Sequence, residues 1–195
     1  MKYLIIIALS LILSVSGYAQ SLYSFDYNMS FANGETAEYI GATSFRGLTF
    51  EGRSFIHDQF SIGGLFSWTT FYESLGGEQF TSGTSTLTGN QYRYLNAFPI
   101  LFQAHYYMTG DEYEPRVYMG GGVGPYKMNQ RTDIGTWSLT DRNWHFGISP
   151  EVGLLFPLSM DTQFNISFRC HYVFKANNTI DHSWFGLSLG LAWGD

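Results

Sequence analysis

From Phe164 to Phe174 the chain alternates. Phe164, Ile166, Phe168, Cys170, Tyr172 and Phe174 fall on one side, and Asn165, Ser167, Arg169, His171 and the apolar exception Val173 fall on the other. A repeat of two is a strand with an oily face and a polar face. Such a strand suits a soluble sheet whose oily face meets a core, or a membrane barrel whose oily face meets lipid. The other strands, their connections and the composition decide between them.

Lys2, the apolar run Tyr3 to Val15 and the small-residue exit Ser16-Gly17-Tyr18-Ala19 have the order of a secretory signal peptide, with cleavage expected after Ala19. The apolar run is shorter than the roughly 20 residues a spanning helix needs. No Cys follows the expected cleavage site, so no acyl anchor is expected. Residues 1–19 are therefore read as the signal and residues 20–195 as one domain, and removing Lys2 with the signal moves the net charge from −6 to −7. A mildly acidic chain with scattered charge argues against nucleic acid as a partner. Cys170 is the single cysteine, which excludes an internal disulfide. Aromatic residues make up 18% of the chain and charged residues 13%, with 22 glycines, a composition a membrane barrel consumes. No later run is long enough for a spanning helix, so membrane insertion requires a closed barrel.

Eight strands are predicted in hairpin order. The first, about Tyr23 to Phe31, sets Tyr23, Phe25, Tyr27, Met29 and Phe31 against Ser24, Asp26, Asn28 and Ser30. A polar loop from Ala32 to about Ala42 leads to the least regular strand, about Thr43 to Arg53, where Phe45, Leu48 and Phe50 do not keep one phase; a bulge is expected at Gly47 or Gly52. The third, Phe60 to Tyr72, is followed by a Gly-, Ser- and Thr-rich loop, Glu73 to Asn90, and the fourth runs from Gln91 to Met108 with Arg93, Gln103 and His105 inward. Pro99 within it costs a ladder bond or marks a bulge. A turn at about Thr109 to Glu114 precedes the fifth strand, Arg116 to Tyr126. A loop at Met128 to Arg142 precedes the sixth, where Trp144, Phe146, Ile148, Val152, Leu154 and Phe156 alternate with His145, Gly147, Ser149, Glu151 and Gly153. The Phe164 strand follows the turn Leu158 to Gln163, and the last strand carries Phe185, Leu187, Leu189, Leu191 and Trp193 on one face.

Connections alternate short and long, as in membrane barrels with short periplasmic turns and long outer loops. With both termini periplasmic, Trp68, Tyr72, Tyr92, Tyr94, Trp144 and Tyr172 fall near the outer rim, and Tyr106 and Trp193 near the inner rim. Two aromatic belts around an aliphatic band match the two membrane interfaces. The bulky face carries no charge and is read as lipid-facing. The fold expected is a closed eight-stranded antiparallel up-and-down transmembrane β-barrel.

Ser44-Phe45-Arg46-Gly47, Trp68 to Glu73, Tyr92 to Ile100 and the Gly120 to Gly124 run resemble segments of the small outer-membrane β-barrel domain family of Gram-negative bacteria, which includes the transmembrane part of OmpA. The resemblance covers the mature chain. It implies outer-membrane localisation, contact with outer-membrane lipid, insertion by the barrel-assembly machinery, and a monomer. It also implies an aromatic terminal signal; here the chain ends Trp193-Gly194-Asp195, and Trp193 is the residue available for that role. No periplasmic cell-wall-binding domain is expected after the last strand.

An eight-stranded lumen is just wide enough for side chains to fill. If the turn is centred near Met160, Glu151 lies beside Arg169 and His145 beside Lys175. The expected lumen network is Glu151 with Arg169, joined by His171, Arg93, Gln103 and Asp26. Pairing of buried charges accounts for it more simply than a gate does. His105, His145 and His171 share no metal-ligand spacing, so no metal or cofactor is expected. Asp181-His182-Ser183, with Ser61, Ser149 and Ser188, supplies the residue types of a hydrolase triad, but types are not geometry, and no catalytic residue is assigned. The Gly120 to Gly124 run lacks the helix and lysine of a phosphate loop. Asn28, Asn165 and Asn177 open glycosylation-like triplets in what is read as the wrong compartment. The function expected is a structural or surface-interaction role through outer loops, the surface ligand being unknown. A narrow channel or binding barrel for small apolar molecules and a lipid-modifying enzyme are the alternatives.

Overall fold

A computed structural model describes residues 20–82, 85–108, 114–176 and 179–194. The expected signal segment 1–19, most of the Thr109 to Glu114 turn and residues 177–178 of the Asn177 triplet lie outside the described residues. The elements are β1 (Ser21–Asn33), α1 (Gly34–Tyr39), β2 (Gly47–His57), β3 (Phe60–Ser82), β4 (Ser85–Tyr107), β5 (Arg116–Ile134), β6 (Trp137–Pro157), β7 (Thr162–Phe174) and β8 (His182–Gly194). Each strand pairs antiparallel with the next, and β1 pairs with β8 from Leu22↔Gly194 to Asn33↔Ser183, closing the barrel. Closure removes the free edges that hydrocarbon would leave unsatisfied. Among the described residues no helix is long and apolar enough to cross a membrane.

The two faces divide as the alternation demands. Phe25, Phe66, Ile100, Phe102, Phe146, Phe168 and Leu191 point outward and are exposed, while Ser24, Asp26, Ser67, Gln103, Ser149, Glu151 and Arg169 point inward and are buried. A soluble barrel would reverse this distribution. Trp68, Tyr92, Trp144, Tyr172 and Trp193 are exposed on the outer face. Tyr72, Tyr94 and Tyr106 are partly covered. The covering comes from ring contacts across the ladder, with centroids 5.1 Å apart for both Tyr72–Tyr94 and Phe60–Tyr106.

Four regions differ from the sequence expectation. The described residues of the stretches expected as loops, Glu73 to Asn90 and Met128 to Arg142, are strand apart from a turn at residues 135–136. β3 and β4 are 23 residues each, far beyond the roughly 9–11 that cross a bilayer, so they continue as a two-stranded ribbon whose Gly, Ser and Thr residues satisfy their backbone groups by pairing. β5 and β6 run on to a two-residue turn in which Gly135 has φ +58°. The expected loop Ala32 to Ala42 holds the short helix α1. In β2 the strand begins at Gly47, so Phe45 lies outside it, Leu48 and Phe50 share the outer face, and the register shift falls at Phe55/His57 instead of Gly47 or Gly52. Pro99 leaves the register intact, with Phe66↔Ile100 on one side of it and Thr69↔Ala97 on the other.

Inside, glycines face large rings. Tyr118 lies across Gly153, where a Cβ would come within 2.3 Å of the ring, and Tyr126 lies across Gly147 at 2.8 Å. The barrel is thereby filled by rings laid over missing side chains. Substituting Gly153→Val is expected to lower stability by about 1–3 kcal/mol through overpacking, read as an earlier midpoint of urea unfolding in lipid vesicles. The same change at Gly89, where an added Cβ meets nothing within 4 Å, is expected to stay within about 0.5 kcal/mol of the parent.

Candidate functional site: the lumen and its outer mouth

The inward face is layered. At the inner end Leu22, Tyr107, Tyr118, Leu155 and Ala192 form an apolar floor, with Phe55 packed on it. At the outer end Ile40, Phe71, Leu95, Met128, Val173 and Trp184 belong to a larger apolar roof. Between them lies an ionic cluster.

Glu51, Arg53, Glu151 and Arg169 are each 5% exposed or less. Arg169 Nη2 donates to Glu151 Oε2 at 2.6 Å and to Glu51 Oε2 at 3.3 Å, and Arg169 Nε adds a bond to Glu151 Oε2 at 3.2 Å. Arg53 Nε donates to Glu51 Oε1 at 2.6 Å. Arg53 Nη1 and Nη2 reach the hydroxyls of Tyr107 and Tyr118 at 3.2 and 3.0 Å, and its guanidinium lies 4.3 Å from the Tyr118 ring centroid. Two carboxylates and two guanidiniums cancel, which is how charge becomes tolerable in a dry interior. Tyr118 Oη lies 3.1 Å from Glu151 Oε1 and 2.9 Å from Asn165 Oδ1, and Asn165 Nδ2 donates to Asp26 Oδ1 at 2.8 Å. Gln103 Nε2 is 3.5 Å from Glu151 Oε2.

Of the residues named from sequence, Glu151 and Arg169 are thus in direct contact, Gln103 is at the margin, and Asp26 joins through Asn165 and Tyr118. Arg93 and His171 stand apart. Arg93 Nη1 donates to the Tyr39 carbonyl at 2.6 Å, at the outer mouth. His171 Nδ1 is 3.0 Å from Tyr126 Oη, and its ring stacks on Trp184 at 4.5 Å. They lie nearer the outer end than the ion pairs, at the level of the roof. His145 is buried, but Lys175 follows the end of β7 and is exposed, so the two do not meet.

Glu51 and Arg53 do not emerge from the sequence reading, and His105, read there as inward, is not expected in the network. The first two are hidden by counting Phe45 in the phase of β2; dropping it sets Thr49, Glu51 and Arg53 on one inward face. His105, on the inward face of β4, pairs with Gly120 on β5, and Gly120 in turn pairs with Glu151. Strand tilt makes neighbours of residues at different heights along their own strands. His105 Nε2 lies 3.4 Å from Glu51 Oε1 and 3.5 Å from Glu151 Oε2. Glu51, His105 and Glu151 offer three ligand atoms within 4.8 Å of one another. Both carboxylates are already held by guanidiniums, whose fixed positive charge opposes a further cation there.

Over the outer mouth sits α1. Thr36 is fully buried and accepts from Ser183 N at 2.9 Å, and Glu35 Oε2 accepts from Asp181 N at 3.1 Å. Tyr39 Oη reaches Thr132 Oγ1 at 2.8 Å, and burial pushes its phenol above the ordinary range, keeping it a neutral donor. Asp181, His182 and Ser183 do not form a triad. Asp181 Oδ1 accepts from Lys175 N at 2.6 Å, His182 Nδ1 is 3.4 Å from Thr36 Oγ1, and Ser183 Oγ donates to the Asn33 carbonyl at 3.0 Å.

No protein-family model matches the chain, and no curated protein matches it in sequence. Among solved structures the chain is similar to the attachment invasion locus protein Ail of Yersinia pestis, with TM-score 0.58 and 13% identity over 91% of this chain and 99% of that one. It is also similar to Neisserial surface protein A, with TM-score 0.58 and 14% identity over 89% and 96%. The outer membrane protein OprG of Pseudomonas aeruginosa gives TM-score 0.55 and 12% identity over 91% and 96%. At these identities the likeness is one of fold: the small eight-stranded barrel.

Removing one member of the cluster leaves a buried charge unmatched. Arg169→Met is expected to cost about 3–5 kcal/mol. Tyr118→Phe, which removes one hydroxyl, is expected to cost about 1–3 kcal/mol. Equilibrium unfolding in vesicles checks both.

Proposed function

We propose that the chain is an integral outer-membrane barrel whose lumen is sealed by its own side chains and whose specific contacts are made by its surface hairpins, without catalysis. The observation that carries this reading is the stacking of a floor, a neutral ionic layer and a roof of buried side chains along one narrow lumen. The oily outer face with its aromatic belts supports residence in lipid, and the signal-like start together with the barrel architecture supports delivery by export and by the barrel-assembly machinery. Lipid is then the principal partner, and a monomer suffices because closure satisfies every strand edge.

The β3–β4 and β5–β6 ribbons reach past the membrane-crossing length. The latter carries Trp137 and Leu139 exposed at 68% and 53%. Large apolar groups on a surface ribbon suit an adhesive or partner-binding role. A cleft of about 330 Å³ lined by Tyr39, Gln130, Thr132, Leu139, Thr140 and Asp141 lies beside it, under α1.

Single-channel recording in planar bilayers tests the sealed lumen. The expected result is no steady conductance above baseline for the parent protein; stable openings of uniform size overturn the reading and favour a conduit.

A further inference from the structure

The outer mouth holds two histidines that the sealed-barrel reading does not use. His145 on β6 and His182 at the start of β8 are both buried, their ring centroids are 5.4 Å apart, and their planes cross at 79°. His145 Nδ1 lies 3.0 Å from the Phe174 carbonyl oxygen, which can only accept. That bond fixes the proton on Nδ1 and leaves the Nε2 lone pair free. His182 Nδ1 lies 3.4 Å from Thr36 Oγ1; with Nδ1–H donating there, its Nε2 is likewise a free donor.

Rings 5.4 Å apart and crossed at 79° make an ordinary edge-to-face pair, and the same separation also suits two imidazoles that share an ion. A metal–nitrogen bond of about 2.0–2.1 Å puts an imidazole centroid about 3.2 Å from the ion, and two rings at a tetrahedral angle then stand about 5.2 Å apart. The observed separation is within a few tenths of an ångström of that. Met128, Asp141, Asn143 and Thr179 line the same narrow cleft as the two histidines. Met128 is buried on β5, where its partner Asn143 and the pair Tyr126↔His145 place it diagonally across from His145 on the inward face. Imidazole with thioether is a borderline-to-soft donor set, which favours copper over harder ions.

We propose that His145 and His182, with Met128 as third donor, form a copper site in the outer mouth of the barrel. The site is distinct from the Glu51–His105–Glu151 group, whose carboxylates are engaged by Arg53 and Arg169. No guanidinium bonds to either of these imidazoles among the described contacts. Thr36 on α1 holds His182 and Ser183 together, so the helix that caps the lumen also orients one ligand.

The test is a titration of the mature protein, folded in detergent micelles, with Cu²⁺ and with Cu⁺ under reductant, against a chromogenic chelator. One equivalent is expected to bind. His145→Gln and His182→Gln are each expected to weaken it at least tenfold, the scale of losing a ligand-shell group. Met128→Leu is expected to weaken Cu⁺ more than Cu²⁺, and His57→Ala, at an exposed histidine far along β2, is expected to change nothing. Folding of each variant is read from the mobility difference between boiled and unboiled samples. If His182→Gln does not fold, the parent with bound Cu²⁺ decides: paramagnetic resonance is expected to show coupling to two imidazole nitrogens. Copper affinity unchanged in both folded histidine variants, a spectrum lacking those nitrogens, or tighter retention of Zn²⁺ than of copper overturns the proposal.

Discussion

Four charged side chains, Glu51, Arg53, Glu151 and Arg169, are buried inside one narrow barrel, and that constraint governs the interior. Moving an isolated carboxylate or guanidinium into such a space costs several kcal/mol even after relaxation. The chain meets the cost by bringing two of each sign into contact from three strands, β2, β6 and β7. Hydroxyls of Tyr107 on β4 and Tyr118 on β5 accept from the two terminal nitrogens of Arg53. The apolar layers on either side keep competing water away, so the pairs act at low dielectric.

The rings that do this work need space. Tyr118 and Tyr126 occupy it because the strand opposite offers Gly153 and Gly147 where any side chain would collide. The glycines of β6 and the tyrosines of β5 are therefore one packing unit. Helix α1 belongs to the same economy at the outer end, lowering Ile40 and Thr36 into the mouth and tying itself to β8 through Thr36.

The barrel was legible because a bulky apolar outer face and a polar inner face impose a period of two, which Phe164 to Phe174, Val173 aside, and Trp144 to Phe156 display without help from tertiary structure. The adjacency of Glu151 and Arg169 follows from a turn centred near Met160. Other features were not legible. Phe45, exposed and outside β2, obscured the phase that reveals Glu51 and Arg53. The height of His105 depends on strand tilt, which no single strand encodes. Gly, Ser and Thr in residues 73–90 read as loop because their strand content comes from cross-strand pairing, a property of the ribbon and not of the residues. Asp181-His182-Ser183 shows the converse: three chemically suggestive neighbours whose side chains serve three different partners.

The seam between β1 and β8 carries a consequence for how the molecule is made. The first strand's partner is the last one in the chain, so this junction has the largest loop to close and forms late on entropic grounds. Until it forms, the inward face is open, and Arg53 and Arg169 can keep their water. Burial of those charges is thus concurrent with sealing: the protein sheds hydration from its interior at the same step that zips Leu22 to Gly194 and Asn33 to Ser183. If the barrel resides in lipid as proposed, insertion and tertiary assembly are coupled, and a partly zipped sheet is the species that precedes both.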